Sequence, residues 1–195
     1  MRRPGGADFA AGAYVFPGGA VHANDADWDD DIAAAALREL FEEVGILLAR
    51  KGGRFAREHD CERVRSLVAD GQTFGQAMRT LGLEPAPDRL VYLARWVTPA
   101  QLRRRFDARF FLARLPPGQE VRPQEGEVAD WLWITPIHAL SDPKITLVYA
   151  TRTVLESVAT GEDAATVFAR VRRTRDVPIV EPRLVQTPDG WEIER

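Results

Sequence analysis

Glu39, Glu42 and Glu43 stand close together in Arg38-Glu39-Leu40-Phe41-Glu42-Glu43-Val44-Gly45-Ile46, downstream of the turn Phe16-Pro17-Gly18-Gly19. Grouped carboxylate oxygens, with backbone oxygens that a glycine turn can bring alongside, are what hard divalent cations such as Mg²⁺ require. On a helix, residues three and four apart are neighbours at about 5–6 Å between Cβ atoms, so Glu39 meets both Glu42 and Glu43. Like charges at that spacing destabilise a helix by about 0.2–0.5 kcal/mol per pair. No lysine is interleaved to offset them. A bound cation would remove the penalty, and the chemistry it implies is metal-assisted attack on a phosphate.

A helix must present these acids. Ala33, Ala36, Leu37, Leu40, Phe41 and Val44 recur at three- and four-residue intervals and predict one apolar stripe facing a core, with the three glutamates roughly opposite. Asp29 or Asp30 suits its start, where the helix dipole favours acids, and Gly45 suits its stop. Ala13 to Phe16 reads as a short strand entering the glycine turn. The residues alone also fit a solvated acidic helix face beside an ordinary turn.

The combination decides between the two. FPGG followed by RExxEExG resembles the signature of the Nudix hydrolase family, matched here by Arg38, Glu39, Leu40, Glu42, Glu43, Gly45 and Ile46. The Gly19–Arg38 spacing is five residues longer than the usual box, and counting back from Arg38 puts Asp30 where the box has a glutamate. The extra residues fall within His22 to Trp28, a polar, turn-forming stretch.

The remaining chain fills out a fold. Residues 55–83 look helical, with Thr73 as an N-cap; Leu90 to Val97, Arg109 to Arg114 and Val128 to Ile134 read as strands. Thr135-Pro136 opens a short helix, Leu147–Val158 and Ala164–Val171 are helical, and the tail around Pro188-Asp189-Gly190 reads as a hairpin. Mixed strands and helices predict an α+β class, laid out as an α/β/α sandwich. The Nudix resemblance implies the same fold: a mixed β-sheet between helices, with the box as loop-helix-loop. The expected organisation is a single domain over 1–195, with the box at about 18–46 and a helical insertion at about 50–88. Family members carry a core strand well before FPGG. Either such a strand is missing here, or Asp8 to Val15 and the tail close the sheet differently.

Composition is that of an ordinary globular chain: 195 residues, 45% hydrophobic, 28% charged and net charge −3. That balance implies no general attraction to nucleic acid or to an anionic membrane. No apolar run is long enough to span a bilayer, and the N-terminus lacks an apolar signal core. A single cysteine, Cys61, excludes an internal disulfide and suits a cytoplasmic setting. His22, His59 and His138 have no zinc-ligand spacing.

By resemblance, Glu39, Glu42 and Glu43 ligate Mg²⁺ or Mn²⁺, with Glu42 or Glu43 shared between ions and the Gly19 carbonyl as a further ligand. Arg38 orients the carboxylates. Glu125 and Glu127 are candidates for an extra loop acid, with Glu127 preferred. Arg105 and Arg109 are candidate readers of substrate phosphate, as are Arg103 and Arg104, although consecutive arginines are more often a solvated surface. The tryptophans read as core.

Beyond the box, Ala13 to Gly19, Trp96-Val97-Thr98-Pro99, Arg105 to Ala113 and Trp133-Ile134-Thr135-Pro136 look like the branch of peroxisomal acyl-CoA diphosphatases and their bacterial relatives. That resemblance implies cleavage of the diphosphate linkage in a nucleoside diphosphate derivative, CoA or acyl-CoA among them. ADP-ribose, NADH and nucleotide-sugar substrates stay open, as does a non-catalytic nucleotide-binding module. Asp8 stands where the CoA-site pattern has an arginine. The partner expected is a small-molecule substrate, with a homodimer open as the assembly.

Overall fold

The computed structural model describes residues 1–102, 105–187 and 190–194. Arg103 and Arg104 of the arginine cluster, and Pro188-Asp189 of the tail turn, lie outside the described residues.

Helix α1 spans Asp31–Val44. Asp30 is its N-cap, accepting from the Ile32 and Ala33 N–H groups at 3.1 and 3.0 Å, which satisfies two donors a helix start leaves orphaned. Gly45 ends it in the left-handed region at φ 76°, where glycine carries no Cβ penalty. Ala33, Leu37, Phe41 and Val44 are buried as the stripe predicts, but so are Ala34, Ala35, Arg38 and Glu43. The helix is therefore covered on more than its apolar face. The glutamates do not occupy one open, solvated side.

The chain continues into strand β1 (Ala49–Lys51), which pairs antiparallel with β2 (Arg54–Phe55) and β3 (Glu84–Pro85). Between β2 and β3 lie α2 (Glu58–Ala69) and α3 (Phe74–Thr80). Thr73 caps α3, accepting from the Gln76 N–H at 3.2 Å, while the Gln76 side chain accepts from the Thr73 N–H at 2.9 Å. Cys61, Val64, Phe74 and Met78 from these two helices close over Phe41 and Leu47, making one core. The helical segment after the box thus packs directly on the helix carrying the carboxylates.

A second core lies under a mixed sheet. Its central strand β4 (Val91–Val97) runs antiparallel to β5 (Asp107–Leu112) and parallel to β6 (Ile179–Val180). Helices α4 (Pro136–Ser141), α5 (Tyr149–Val158) and α6 (Ala164–Arg173) follow β5. Val91, Leu93, Val154, Val167 and Val171 join β4 to α5 and α6. The tail forms an antiparallel pair, β7 (Arg183–Thr187) with β8 (Gly190–Glu194). Among the described residues no helix is long and apolar enough to cross a membrane.

Two expected strands reduce to single bridges. Arg2 pairs with Tyr14 and with Asp130, and Tyr14 pairs parallel with Leu147. Met1 to Arg3 thus lies between Ala13–Val15 and Ala129–Asp130, a span too short for a regular ladder. Trp131 and Trp133 follow that bridge and are 39% and 70% exposed, so they are not core, contrary to the reading of the tryptophans as such. Their β propensity reported a fit to a pleated surface that has no partner strand here.

Candidate active site

Arg38 organises the acidic end of α1. Its Nη1 donates to Glu39 Oε1 and to Glu42 Oε2, each at 2.8 Å. Nε and Nη2 form a bidentate pair with Asp25 at 3.0 Å each, and Nη2 also donates to the Ala20 carbonyl at 2.8 Å. All five guanidinium N–H donors are thereby used. The side chains of Arg38 and Asp25 are only 7% and 5% exposed. Burial alone would raise the Asp25 carboxyl, but the Arg38 hydrogen bonds, the His22 N–H and the Arg38 charge together hold the group below its ordinary value. The same three carboxylates push Arg38 further into its charged form despite its burial.

This network bears on two expectations. Asp30, which counting puts at the box's glutamate position, caps α1 as an acid at the helix start should. Asp25, in the 3₁₀ turn Ala23–Asp27, faces Arg38. A longer loop need not keep the box register, because a turn inside it can return an acid to the same place. The like-charge penalty between Glu39 and Glu42 is also offset without a cation, because one guanidinium nitrogen bridges them.

Glu43 is placed differently. Its Oε2 accepts from the Gly18 N–H at 2.7 Å, which ties the helix to the glycine turn. Burial pushes its carboxyl up to about 7, opposed by the Gly18 hydrogen bond and reinforced by the negative charges of Glu39 and Glu127. Arg3 lies close enough to favour its ionised form, a proximity that sequence spacing did not signal. Glu42 is also raised, chiefly by burial, with the Arg38 bond working against it. Gly19 meets Glu39 so closely that a Cβ there would overlap its carboxylate.

The 119–128 segment brings Glu127 to this end of α1. The Arg122 and Gln124 N–H groups donate to the Val44 and Glu43 carbonyls, both at 2.9 Å. Gln119 anchors the segment: buried, it exchanges bonds of 2.8 and 2.9 Å with the Leu47 backbone and donates to the Ala56 carbonyl at 2.8 Å. A glutamine in a Pro-Gly turn gave no sequence signal of that role. Glu125 and Glu127 are both exposed, and Glu127 is the one whose charge is felt at Glu43.

Arg105 is exposed and donates to the Thr98 carbonyl at 3.4 Å. Arg109 stands opposite Arg95 across the β4–β5 pair, beside the Arg95–Asp107 ion pair of 2.7 Å. Adjacent strand residues face opposite sides, and it is Phe110 that meets Phe16, with ring centroids 6.1 Å apart. The face of β5 that reaches the glycine turn is therefore the one Arg109 does not occupy. Cys61 is fully buried, and burial pushes its thiol up to about 11, which suits packing rather than nucleophilic attack.

The donor set has the chemistry of a hard-cation site. Each glutamate uses one oxygen in the bonds above, leaving Glu39 Oε2, Glu42 Oε1 and Glu43 Oε1 as further acceptors, and the glycine turn lies against Glu39 and Glu43. Among the described residues, no three acidic, histidine or cysteine side chains converge into a ready-made cage. The carboxylates fit Mg²⁺ by type and number.

Comparison with known proteins points one way. The family model described as the NUDT19 Nudix domain matches residues 28–150. "Putative nudix hydrolase 7" of Caenorhabditis elegans is 32% identical over 138 residues, covering 70% of this chain and 45% of that protein. The chain therefore spans less than half the length of that relative. The crystal structure of a NUDIX hydrolase from Alicyclobacillus acidocaldarius is similar with a TM-score of 0.72 at 26% identity, covering 86% of this chain and 85% of that one.

Proposed function

The chain belongs to the Nudix hydrolase family, and from that premise we propose that it hydrolyses the diphosphate linkage of a nucleoside diphosphate derivative, CoA or acyl-CoA foremost. One observation carries the reading: Arg38 holds Glu39 and Glu42 together while the glycine turn holds Glu43 beside them. Glu39, Glu42, Glu43 and the Gly19 carbonyl are the groups that would hold Mg²⁺ or Mn²⁺. Such an ion supplies Lewis-acid polarisation of phosphoryl oxygens and a lowered pKa for the attacking water.

The chain's own residues supply the rest. Arg38 is fully committed to carboxylates and a carbonyl, so it positions the acids rather than touching substrate. Glu43 Oε2 is tied to the Gly18 N–H, which leaves Oε1 for the ion, and a bound dication would hold that carboxyl ionised against the burial that raises it in the empty fold. Glu127 is the loop acid whose field reaches that carboxyl, which supports it over Glu125 as the acid-base group. The match to the NUDT19 Nudix domain favours CoA-type substrates. Asp8, a charge opposite to the CoA-site arginine, argues for testing other diphosphates beside them.

The experiment is a Mg²⁺-dependent turnover screen with CoA, acyl-CoA, ADP-ribose, NADH and nucleoside triphosphates, with Glu42→Gln and Glu43→Gln as controls. At least one diphosphate should be cleaved, and each variant should lose on the order of a hundredfold or more in kcat. Turnover indifferent to both substitutions overturns the site. Nucleotide binding without any turnover would make the protein a binding module instead.

A further inference from the structure

Beside the carboxylates lies a cleft of about 130 Å³ whose walls come from the 3₁₀ turn Ala23–Asp27, helix α1 and the start of α3. Glu42 and Arg38 line it, so it adjoins the site already described. The two segments that depart from the usual box, the longer loop before α1 and the helical segment after it, meet here. We propose that this cleft receives the nucleobase of the substrate. The proposal deepens the diphosphatase reading and rests on it for which molecule the base belongs to.

Size sets the first limit. About 130 Å³ is room for roughly four waters at about 30 Å³ each, against roughly 300–1,000 Å³ for a pocket that encloses a drug-sized ligand. One ring system fits. A whole nucleotide does not.

Charge sets the second limit. The cleft's guanidinium, Arg38, has no N–H left to give, while Asp25 and Glu42 add negative charge to the lining. A phosphate entering here would meet the carboxylates of Asp25 and Glu42 and a guanidinium already committed to them, with His22 the remaining titratable side chain of the lining. The end of the substrate that enters is therefore a neutral one.

The wall chemistry selects among neutral groups. Trp28 and Phe74 lie in a stacked pair, centroids 6.1 Å apart and 26° between planes, and Phe74 continues to Phe41 at 5.5 Å. That anchors a flat, rigid aromatic surface in the core, the kind of platform on which bases stack. Asn24, Gln72 and Thr73 add amide and hydroxyl groups to the lining, which pair with the donors and acceptors of base edges. The Gln72 Oε1 accepts from Thr80 at 3.2 Å, leaving its NH₂ to donate. Gly75 keeps the space open: a Cβ there would sit 3.5 Å from Trp28 Nε1 and 3.6 Å from Arg79 Nη1, both ordinary contacts, so alanine is accommodated and a longer side chain fills the cleft.

The test is calorimetric titration of wild type, Gly75→Ala, Gly75→Leu and Gln72→Ala with the four free ribonucleosides and with pantetheine, each variant first checked for an unchanged melting curve. Free nucleosides carry no phosphate, so this readout does not depend on turnover. Wild type should bind at least one nucleoside, Gly75→Ala should match it within about twofold, and Gly75→Leu should bind about tenfold or more weakly, the loss of one stacking interaction. If Gly75→Leu melts early, Gln72→Ala decides by the same criterion, with altered preference among bases. No nucleoside binding by wild type, equal binding by the blocked variant, or a preference for pantetheine overturns the proposal. Nucleoside binding that is lost in Gly75→Leu, in a protein that cleaves no diphosphate, upholds the subsite and refutes the diphosphatase reading instead.

Discussion

Replacing Glu43 with glutamine should make the metal-free protein more stable at alkaline pH and leave it unchanged in acid. The cause is burial: the Glu43 carboxyl is pushed from an ordinary 4.5 up to about 7. Between those values the folded state holds a proton that the unfolded chain has lost, so stability falls as pH rises through that window and is flat above it. At about 1.4 kcal/mol per pKa unit, the ceiling is about 3 kcal/mol. Solvent at the mouth of the site screens part of this, and about 1–2 kcal/mol is the working expectation. Glutamine removes the charge but keeps an oxygen to accept from the Gly18 N–H, so the fold loses no hydrogen bond. Urea unfolding in a chelator at pH 5 and pH 8.5 measures the difference directly. The variant should match wild type within about 0.5 kcal/mol at pH 5 and exceed it at pH 8.5. A variant less stable than wild type at pH 8.5, or a difference independent of pH, refutes the claim that Glu43 is an electrostatic liability in the empty fold.

Asp25→Asn strips a buried ion pair from Arg38 and should cost about 3 kcal/mol, whereas Asp30→Ala loses a helix cap worth about 1 kcal/mol; chemical denaturation of the two variants ranks them. Gly19→Ala drives a methyl into the Glu39 carboxylate, so kcat/KM should fall at least about tenfold, and the steady-state assay should show it with Tm little changed. Gln119→Ala leaves the Leu47 and Ala56 backbone groups without their partner; at about 1–3 kcal/mol per stranded group, thermal unfolding should register a loss of several degrees.

What was legible in the sequence was what local periodicity encodes. The α1 stripe, its acidic start and Gly45 located a helix that spans Asp31–Val44, and Thr73 located the start of α3. β4 and β5 were found within a few residues because their β-branched and aromatic runs are bounded by turns. The misses are non-local. Counting along the chain gave no sign that Asp25 faces Arg38, because spacing says nothing about how a five-residue excursion folds back. The bridging of Met1–Arg3 to Tyr14 and Asp130, and the parallel pairing of β4 with Ile179–Val180, join distant segments that no periodicity links. The exposed Trp131 and Trp133 show the same limit, since hydrophobic composition reports what could be buried and not what finds a partner. The family signature reached further than periodicity, because it encodes long-range contacts as a fixed pattern of residues.

The proposed hydrolysis requires the second oxygens of Glu39, Glu42 and Glu43 to bind divalent metal. Paramagnetic titration of Mn²⁺ at pH 8 into wild-type protein and into the Glu42→Gln/Glu43→Gln double variant measures this without reference to any substrate. The wild type should immobilise Mn²⁺, and the double variant should bind it at least about a hundredfold more weakly. Equal Mn²⁺ affinity in the two proteins would contradict it.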